Sequence, residues 1–417
     1  MTLGARSRRT TIRTDRPGGG ANRRRLPILF GAVLVDLIGF GIILPLLPFY
    51  AERFGGAGIE VGLLVTVYSL IQLFMAPTWG RLSDRFGRRP ILIVGLVGSA
   101  ISYVVFAYAG SLTMLFVARI LGGFGGSTIP VAEAYITDVT PPEKRAGNLG
   151  LIGAAFGLGF TVGPALGGIT SAISIEAPGL LAAGLCGTNA LVAFFFLPES
   201  TGTRPPARDS RSRRRLGYLS DMARDPRTLG VLAVYFFFSV AWAVLQPTLS
   251  LFGAQRFQLD ALQVGYLFAF LGLVSALMQG LLVRRIVPII GEARLTRLCG
   301  LPFVLGLLAI AFSSSLGMLL TGLFLLAVGY GGVVPSVLGL LSRLVPDNVQ
   351  GGALGVGQSV GSLARIAGPF AAGVAFDFLG PGSPYLLGAV VAAGAALISL
   401  GLVQPTAEAV ELAESGA

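Results

Sequence analysis

Two stretches of this 417-residue chain decide its fold: residues 130–168, PVAEAYITDVTPPEKRAGNLGLIGAAFGLGFTVGPALGG, and residues 335–373, PSVLGLLSRLVPDNVQGGALGVGQSVGSLARIAGPFAAG. They are 205 positions apart, and without any gap their identities include eight pairs, Pro130/Pro335, Pro141/Pro346, Gly147/Gly352, Leu149/Leu354, Gly150/Gly355, Gly163/Gly368, Pro164/Pro369 and Gly168/Gly373. Gly and Pro are common in this chain, but eight matches at one offset indicate an internal repeat. The sequence therefore predicts two similar halves.

The composition around this repeat is that of a membrane protein. Hydrophobic residues make up 53% of the chain, only 12% is charged, and the mean hydropathy is +0.78. Soluble domains average about 25% charged residues. The apolar runs predict twelve transmembrane helices at residues 27–50, 60–80, 90–110, 112–138, 146–172, 178–198, 228–252, 262–283, 295–314, 316–340, 350–378 and 382–403.

The basic residues are distributed very unevenly between the two sides of the predicted membrane. Of the 31 Lys and Arg residues, 27 lie in the N-terminal tail and in the loops of one side. Only Arg53 and Arg256 lie in the opposite loops, and Arg119 and Arg365 lie inside helices. The positive-inside rule then places both termini in the cytoplasm of a bacterial-type inner (plasma) membrane. The net charge of +11 therefore reflects topology and contact with the lipid bilayer, and no nucleic-acid partner is expected.

The one long polar stretch divides the chain into two groups of six predicted helices. We predict an all-α membrane protein of two pseudo-symmetric six-helix bundles. Its parts are a disordered basic cytoplasmic tail (1–26), an N-terminal bundle (27–198), a cytoplasmic linker (199–227), a C-terminal bundle (228–403) and a short acidic cytoplasmic tail (404–417).

Several kinds of chemistry are disfavoured by the residues that are missing or isolated. The chain has no histidine, and its two cysteines, Cys186 and Cys299, both fall in predicted helices. Neither a disulfide framework nor a metal site is expected, and no cofactor is predicted. A membrane-embedded enzyme such as a lipid transferase would need converging acids or a metal cluster. We therefore predict that the protein is not an enzyme.

The loop after the second predicted helix is GRLSDRFGRR, residues 80–89. Gly80 permits close approach of helix backbones, Gly87 permits a tight turn, and Asp84 is flanked by Arg85 and Arg88. This loop resembles the signature cytoplasmic loop of the major facilitator superfamily. In that family the Asp faces the N-terminus of helix 11 and locks the outward-facing state, where a helix N-terminus stabilises a carboxylate. Asp138, at the cytoplasmic end of helix 4, could join this gate. The second-half counterpart from Gly280 has Arg284 at the Asp position, so only the first-half lock is expected to be intact.

Two further motifs extend the resemblance to drug:proton antiporters of the tetracycline and multidrug exporter type. Helix 4, LFVARILGGFGGSTIPVAEAYITDVTPPEKR, carries a lone intramembrane cation, Arg119. Such a cation is costly unless it has a partner or water, so Arg119 is expected to face the central cavity. Helix 5, GLGFTVGPALGG, resembles the motif that distinguishes exporters from importers, and its antiporter-motif residues are Gly159, Gly163, Pro164, Gly167 and Gly168. Gly163 and Gly167 form a GxxxG face for close helix packing.

Helix 1, DLIGFGIILPLLPFY, also resembles these antiporters and contains Asp36, the only acid deep in helices 1 to 3. Asp36 and Arg119 are the predicted proton-coupling residues. From a rise of about 1.5 Å per residue, they lie at similar depths, and we expect contact near the midplane. Glu133 is either a cavity acid or an interfacial one. Other candidate cavity residues are Phe40, Trp242, Gln246 and Tyr330; the roles of Arg365 and Asp377 stay open.

Together these features predict a monomeric secondary transporter that exports a hydrophobic or cationic small molecule in exchange for protons. The absence of histidine argues against tetracycline as the substrate, because the resemblance implies a second-half histidine in tetracycline exporters. Two alternatives stay open: export of a lipid-like or sugar-like compound, and a transport-dead receptor that binds without turnover.

Overall fold

Twelve helices, each long and apolar enough to cross a bilayer, make up the protein in a computed structural model that describes residues 19–140, 145–200, 225–345 and 350–404. Their spans are α1 Leu26–Arg53, α2 Gly58–Phe86, α3 Arg88–Ala107, α4 Leu112–Val139, α5 Leu151–Ser171, α6 Ala177–Phe196, α7 Pro226–Phe257, α8 Ala261–Ile290, α9 Glu292–Ala311, α10 Leu316–Arg343, α11 Gly352–Leu379 and α12 Ser383–Leu400. Within the described ranges every regular element is a helix. The predicted all-α membrane fold is confirmed.

The helices within each half are paired in the same way. In the first half α1 packs on α5 and α6, α3 packs on α4 and α6, and α2 packs on α4. In the second half α7 packs on α11 and α12, α9 on α10 and α12, and α8 on α10. This matching arrangement is the structural counterpart of the sequence repeat, since each helix pair recurs six helices later.

The most extensive contacts between the halves are made by two helix pairs, α2 with α11 and α5 with α8. We call the end of the bundle at which α1 begins and α12 ends the terminal side, and the opposite end the far side. The contacts of α2 with α11 start at Gly58 and Asp377 on the far side and reach mid-depth, where Thr66 Oγ1 donates to the Ile366 carbonyl oxygen over 3.1 Å. The halves therefore meet closely on the far side.

Four spans contain a break that hydropathy does not reveal. The break in α1 separates the helical segments Gly19–Ile43 and Leu47–Arg53. The first segment begins at Gly19, within the predicted tail. The break in α4 is the 3-10 segment Gly126–Thr128, the break in α7 falls at Val244, and α8 contains the π-helical segment Met278–Leu282. Polar side chains satisfy carbonyl oxygens at two of them. Gln72 donates to Gly126 over 2.9 Å, and Ser250 donates to Pro45 over 2.7 Å. Such compensation is required where water is absent.

Residues 1–18 and 405–417 of the predicted tails and residues 201–224 of the predicted central linker lie outside the described residues. The same is true of Lys144 and of the loop between α10 and α11.

Candidate functional site

Arg119 is the most deeply buried cation in the described part of the chain. The residue is 3% exposed, and its Nε donates to the Leu64 carbonyl oxygen of α2 over 3.3 Å. Its guanidinium lies 4.3 Å from the ring centroid of Tyr68 and 5.7 Å from that of Phe40. These cation–π contacts compensate part of the cost of burial. Its Nη2 is buried and has no hydrogen-bond partner among the described residues.

Asp36 is also buried, but it does not meet Arg119. It is 9% exposed, and Cys186 of α6 donates to its Oδ1 with an Sγ–Oδ1 distance of 3.9 Å. The Ser99 side chain of α3 is its other polar neighbour. Neither Asp36 nor Arg119 takes part in the three ion pairs of the described residues. The expected contact between them is therefore wrong for this conformation. Depth alone does not determine contact, because each residue turns a helix face by about 100°, and Asp36 points toward α3 and α6.

Tyr68 of α2 connects these groups, and sequence reasoning missed it. It packs against Phe40 with ring centroids 5.0 Å apart, and its hydroxyl lies within electrostatic range of Asp36, Arg119 and Arg365. Phe40 also contacts Phe160 of α5, at 5.8 Å between centroids. The predicted cavity residue Phe40 is therefore part of an aromatic layer beside the buried arginine.

The second half also has an arginine inside a span among aromatic side chains. Arg365 of α11 is half-buried, and its Nη2 donates to Ser362 Oγ over 2.9 Å. The hydroxyls of Tyr235 and Tyr330 lie within its electrostatic range. Trp242 stacks on Tyr330 with ring centroids 3.9 Å apart and an interplanar angle of 5°. Gln246, one turn from Trp242, is buried at 8% exposure.

Glu133 lies on the terminal-side part of α4. The residue is half-buried, and its carboxylate makes no hydrogen bond or ion pair among the described residues. Its helix buries the opposite face through Val131, Ala132 and Tyr135. Its position leaves both of the predicted roles, cavity acid and interfacial acid, open.

The glycines of the helix 5 motif serve two different contacts. A methyl group at Gly159, Gly163 or Gly167 would approach the backbone of α1, for example to 2.7 Å from the Ile38 carbonyl oxygen at Gly163. A methyl group at Gly168 would lie 3.0 Å from the Leu262 carbonyl oxygen of α8, and the Pro164 carbonyl lies against Gly265. The motif therefore joins α5 to α1 within its own half and to α8 in the other half. A larger side chain would separate the backbones.

The terminal-side loop after α2 forms an ion-pair network around Arg88. Its Nη2 lies 2.6 Å from Asp84 Oδ1, and its Nε lies 3.2 Å from Asp138 Oδ2. The Asp84 side chain is 65% exposed, so in this conformation it pairs within its own half rather than at the start of α11. The exposed Arg85 lies over the Phe86 ring. The expected close packing at Gly80 is absent here, since a methyl group there would meet nothing within 4 Å.

The turn at Gly87 is capped from the end of α6. Gly87 has φ +98°, a conformation in which glycine is favoured. Glu199 Oε1 then accepts from the backbone N–H of Arg88 over 2.8 Å. The same device recurs in the second half. Gly291 has φ +80°, and Gln404 Oε1 accepts from the Ala293 N–H over 3.0 Å. Gly291 is therefore the structural equivalent of Gly87.

This equivalence reveals an ion pair in the second half that the motif comparison did not predict. Counted from Gly87 and Gly291, Glu292 corresponds to Arg88, and Arg343 corresponds to Asp138 through the 205-residue offset. Arg343 Nε lies 2.7 Å from Glu292 Oε1, and Gln404 also donates to Glu292. The second half thus keeps the ion pair with its charges exchanged. An alignment of the halves on Gly80 and Gly280 does not match these residues. The turn glycine Gly291 follows Gly280 by four more positions than Gly87 follows Gly80, and α8 contains the π-helical segment in this region.

Asp377 links the halves on the far side, and its function was not predicted. Its Oδ1 accepts from the backbone N–H of Gly58 over 2.8 Å, and its Oδ2 accepts from that of Ile59 over 2.7 Å. These are the first N–H groups of α2, which have no partner within the helix. A carboxylate at a helix N-terminus is also stabilised by the helix dipole. An acid at the far end of α11 and a glycine opening α2 were the available signals, but their proximity depends on the packing of the halves.

Comparison with known proteins gives consistent results. The sequence matches the family model of the Major Facilitator Superfamily over residues 29–369 and 285–416. It is 34% identical to the class E tetracycline resistance protein of Escherichia coli, over 81% of this chain and 84% of that protein. It is 33% identical to the major facilitator superfamily domain-containing protein 10 of Mus musculus, over 86% and 88% of the two chains. The crystal structure of the human organic anion transporter MFSD10 (TETRAN) has a TM-score of 0.70 to it, with 29% identity, covering 91% of this chain and 99% of the other.

Proposed function

The chain belongs to the Major Facilitator Superfamily, and we propose that it exports a small organic molecule in exchange for protons. Export is supported by the helix 5 motif and by relatives named as tetracycline resistance proteins. A small organic substrate with an apolar body fits the aromatic side chains at mid-depth. Export of a lipid-like or sugar-like compound by the same fold is the alternative.

In this proposal, alternating access depends on the contacts that α2 makes with α11 and that α5 makes with α8. Contacts at Gly58 with Asp377 and at Gly168 with Leu262 close the far side. Opening that side requires these contacts to break while the terminal sides of α2 and α11 approach. Asp84 is then the group that reaches the N-terminus of α11. The excess of basic residues in the terminal-side loops supports a cytoplasmic location for that side.

The observation that carries proton coupling is a buried carboxylate without a cation. Within the described ranges, the Asp36 carboxylate contacts the polar side chains of Cys186 and Ser99 and forms no ion pair. An ionised carboxylate that is buried without a cation is costly. Asp36 is therefore neutral in one stage of the transport cycle and ionised in another. Tyr68 contacts the Arg119 guanidinium and is within electrostatic range of Asp36. If substrate binding moves Tyr68, the electrostatic potential at Asp36 changes although Asp36 and Arg119 are not in contact.

The test is transport into everted membrane vesicles that carry an acid-interior pH gradient. Asp36→Asn fixes the neutral form, so we expect substrate binding to persist and gradient-driven transport to be lost. Glu133→Gln is the matched variant, because Glu133 is another intramembrane acid that forms no ion pair among the described residues. Full gradient-driven transport by Asp36→Asn would move the proton site to Glu133. Binding by the wild-type protein with no turnover would instead support the receptor alternative.

A further inference from the structure

Two guanidinium groups, one from each half, lie at mid-depth without an acidic partner. Arg119 has a buried Nη2 with no hydrogen-bond partner among the described residues. Arg365 donates to Ser362 and belongs to none of the three ion pairs in the described ranges. An unpaired charge inside a membrane protein is costly and marks a functional site.

Tyr68 places the two arginines around one region. Its ring lies under the Arg119 guanidinium, and its hydroxyl is within electrostatic range of both Arg119 and Arg365. The hydrogen bond from Thr66 to the Ile366 carbonyl holds this part of α2 against the turn of α11 that carries Arg365. Arg119 of the first half, which donates to the Leu64 carbonyl oxygen, and Arg365 of the second half, which adjoins Ile366, therefore both lie near residues 64–68 of α2.

The acids of the neighbourhood do not neutralise this charge. Asp36 is directed toward Cys186 and Ser99. Glu133 lies 14 positions along α4 from Arg119, which is about 21 Å of helix. Asp377 is engaged by the N-terminus of α2 on the far side. The balance of charge at mid-depth is positive.

We propose that the transported molecule is an amphipathic organic anion whose acidic group is bound by Arg365 and Arg119. This proposal deepens the proposed export function and rests on it, and it replaces the cation considered from sequence. A guanidinium binds a carboxylate through two parallel hydrogen bonds. Ser362 uses one donor of Arg365, which leaves the remaining donors for the anion. The stacked Trp242 and Tyr330, beside Arg365, provide a flat apolar surface for the body of such a molecule.

An anion bound by both arginines would contact both halves of the protein. Arg119 belongs to α4 and Arg365 to α11, so an anion bound by both links the two bodies that move relative to each other. Its negative charge offsets the repulsion between the guanidiniums. An occupied site would then favour conformations that keep both arginines close.

Two dyes with the same xanthene body and opposite charge provide the test. Transport of fluorescein, an anion, and rhodamine 123, a cation, is measured in everted vesicles, and binding to the purified full-length chain is followed by fluorescence polarisation. We expect fluorescein to be bound and transported. Arg365→Gln should raise its KM at least tenfold, and Arg365→Lys, which keeps the charge but not the paired donors, should lie between. The matched control is Arg256→Gln, because Arg256 is at the far-side end of α7 and its hydrogen-bond acceptor among the described residues is the Ser313 carbonyl oxygen; it should leave the KM unchanged.

Each other outcome has a defined meaning. Transport of rhodamine 123 without fluorescein, or an unchanged fluorescein KM in both Arg365 variants, would overturn the anion site while leaving export intact. Fluorescein binding that is weakened by Arg365→Gln, without any transport, would support the site and refute export. If the purified chain neither binds nor transports fluorescein, the anion site is refuted. If size-exclusion chromatography shows that Arg365→Gln does not fold, the fluorescein KM of Arg365→Lys is used for this test instead.

Discussion

Removing the carboxylate of Asp377 should destabilise the closed far side. In Asp377→Ala both hydrogen bonds to the start of α2 are lost, the one to Gly58 at 2.8 Å and the one to Ile59 at 2.7 Å. Asp377→Asn keeps one neutral acceptor and should have an intermediate effect. Because these bonds cross between the halves, their loss should shift the balance toward conformations that are open on the far side.

The size of the shift follows from the geometry. A hydrogen bond to a charged group contributes about 1.5–3 kcal/mol when shielded, and a charge at an exposed helix N-terminus about 0.3–1 kcal/mol. Asp377 is exposed, so solvent weakens both contributions, and we expect about 1–2 kcal/mol for Asp377→Ala. At about 1.4 kcal/mol per factor of ten, the ratio of far-side-closed to far-side-open molecules should fall by about 5- to 30-fold.

The assay is a distance distribution between spin labels at Gly110 and Gly317. Both positions have open space around them and lie on the far side of opposite halves, Gly110 before α4 and Gly317 in the first turn of α10, and the native Cys186 and Cys299 are buried. Asp260→Asn is the matched control. Asp260 caps α8 on the same side, but its Oδ1 accepts from Gln263 within its own half. A longer-distance population should grow in Asp377→Ala and not in Asp260→Asn. Identical distributions in Asp377→Ala and the wild type would refute the reasoning.

Three further predictions concern the terminal side. A cysteine placed at Ser210, outside the described residues, should react with an impermeant reagent only from the cytoplasm; labelling in intact cells would reverse the proposed orientation. Asp84→Asn should slow transport without reducing membrane insertion, because it removes the group expected to reach the start of α11; a wild-type transport rate would contradict that role. Arg343→Gln leaves the Glu292 side chain, 6% exposed, without its cation and should destabilise the fold by about 1–3 kcal/mol, seen as a lower melting temperature in detergent. The exposed Arg284 gives the control variant Arg284→Gln, and equal melting temperatures for the two would show that the pair contributes nothing.

Hydropathy and the repeat were sufficient to predict the twelve spans, because both report properties that a bilayer imposes on whole helices. The predicted 112–138 compares with Leu112–Val139 in the structure. The breaks at Val244 and at Gly126–Thr128 were not predictable in the same way. They change the backbone hydrogen bonds without changing the mean hydropathy, and they depend on side chains such as Gln72 that satisfy the freed carbonyls.

The candidate site was less predictable, because contacts depend on helix direction and on the arrangement of the halves. Counting residues placed Asp36 and Arg119 at similar depths, but Asp36 points to Cys186. Sequence motifs identified Arg119 correctly as a lone buried cation, yet its neighbour Tyr68 has no distinctive pattern of its own. Arg365 was visible as a charge in an apolar run. Its relation to Arg119 emerged only when α2 and α11 were seen to pack together.

The helix pair α2–α11 carries an acid at each end, and the two acids have complementary positions. Asp377 ends α11 and binds the N-terminus of α2 on the far side. Asp84, near the terminal-side end of α2, is expected to bind the N-terminus of α11 when that side closes. Because the helices are antiparallel neighbours, each N-terminus lies beside the C-terminal end of the other, so a single acid on each helix can engage the partner's unpaired N–H groups. In the conformation described here only Asp377 makes this contact, while Asp84 is held by Arg88. When the far side opens, the contact of Asp377 with α2 is lost and a similar contact of Asp84 with α11 is expected to form. Because the two interactions are similar, the two end states stay close in free energy, as a reversible transport cycle requires.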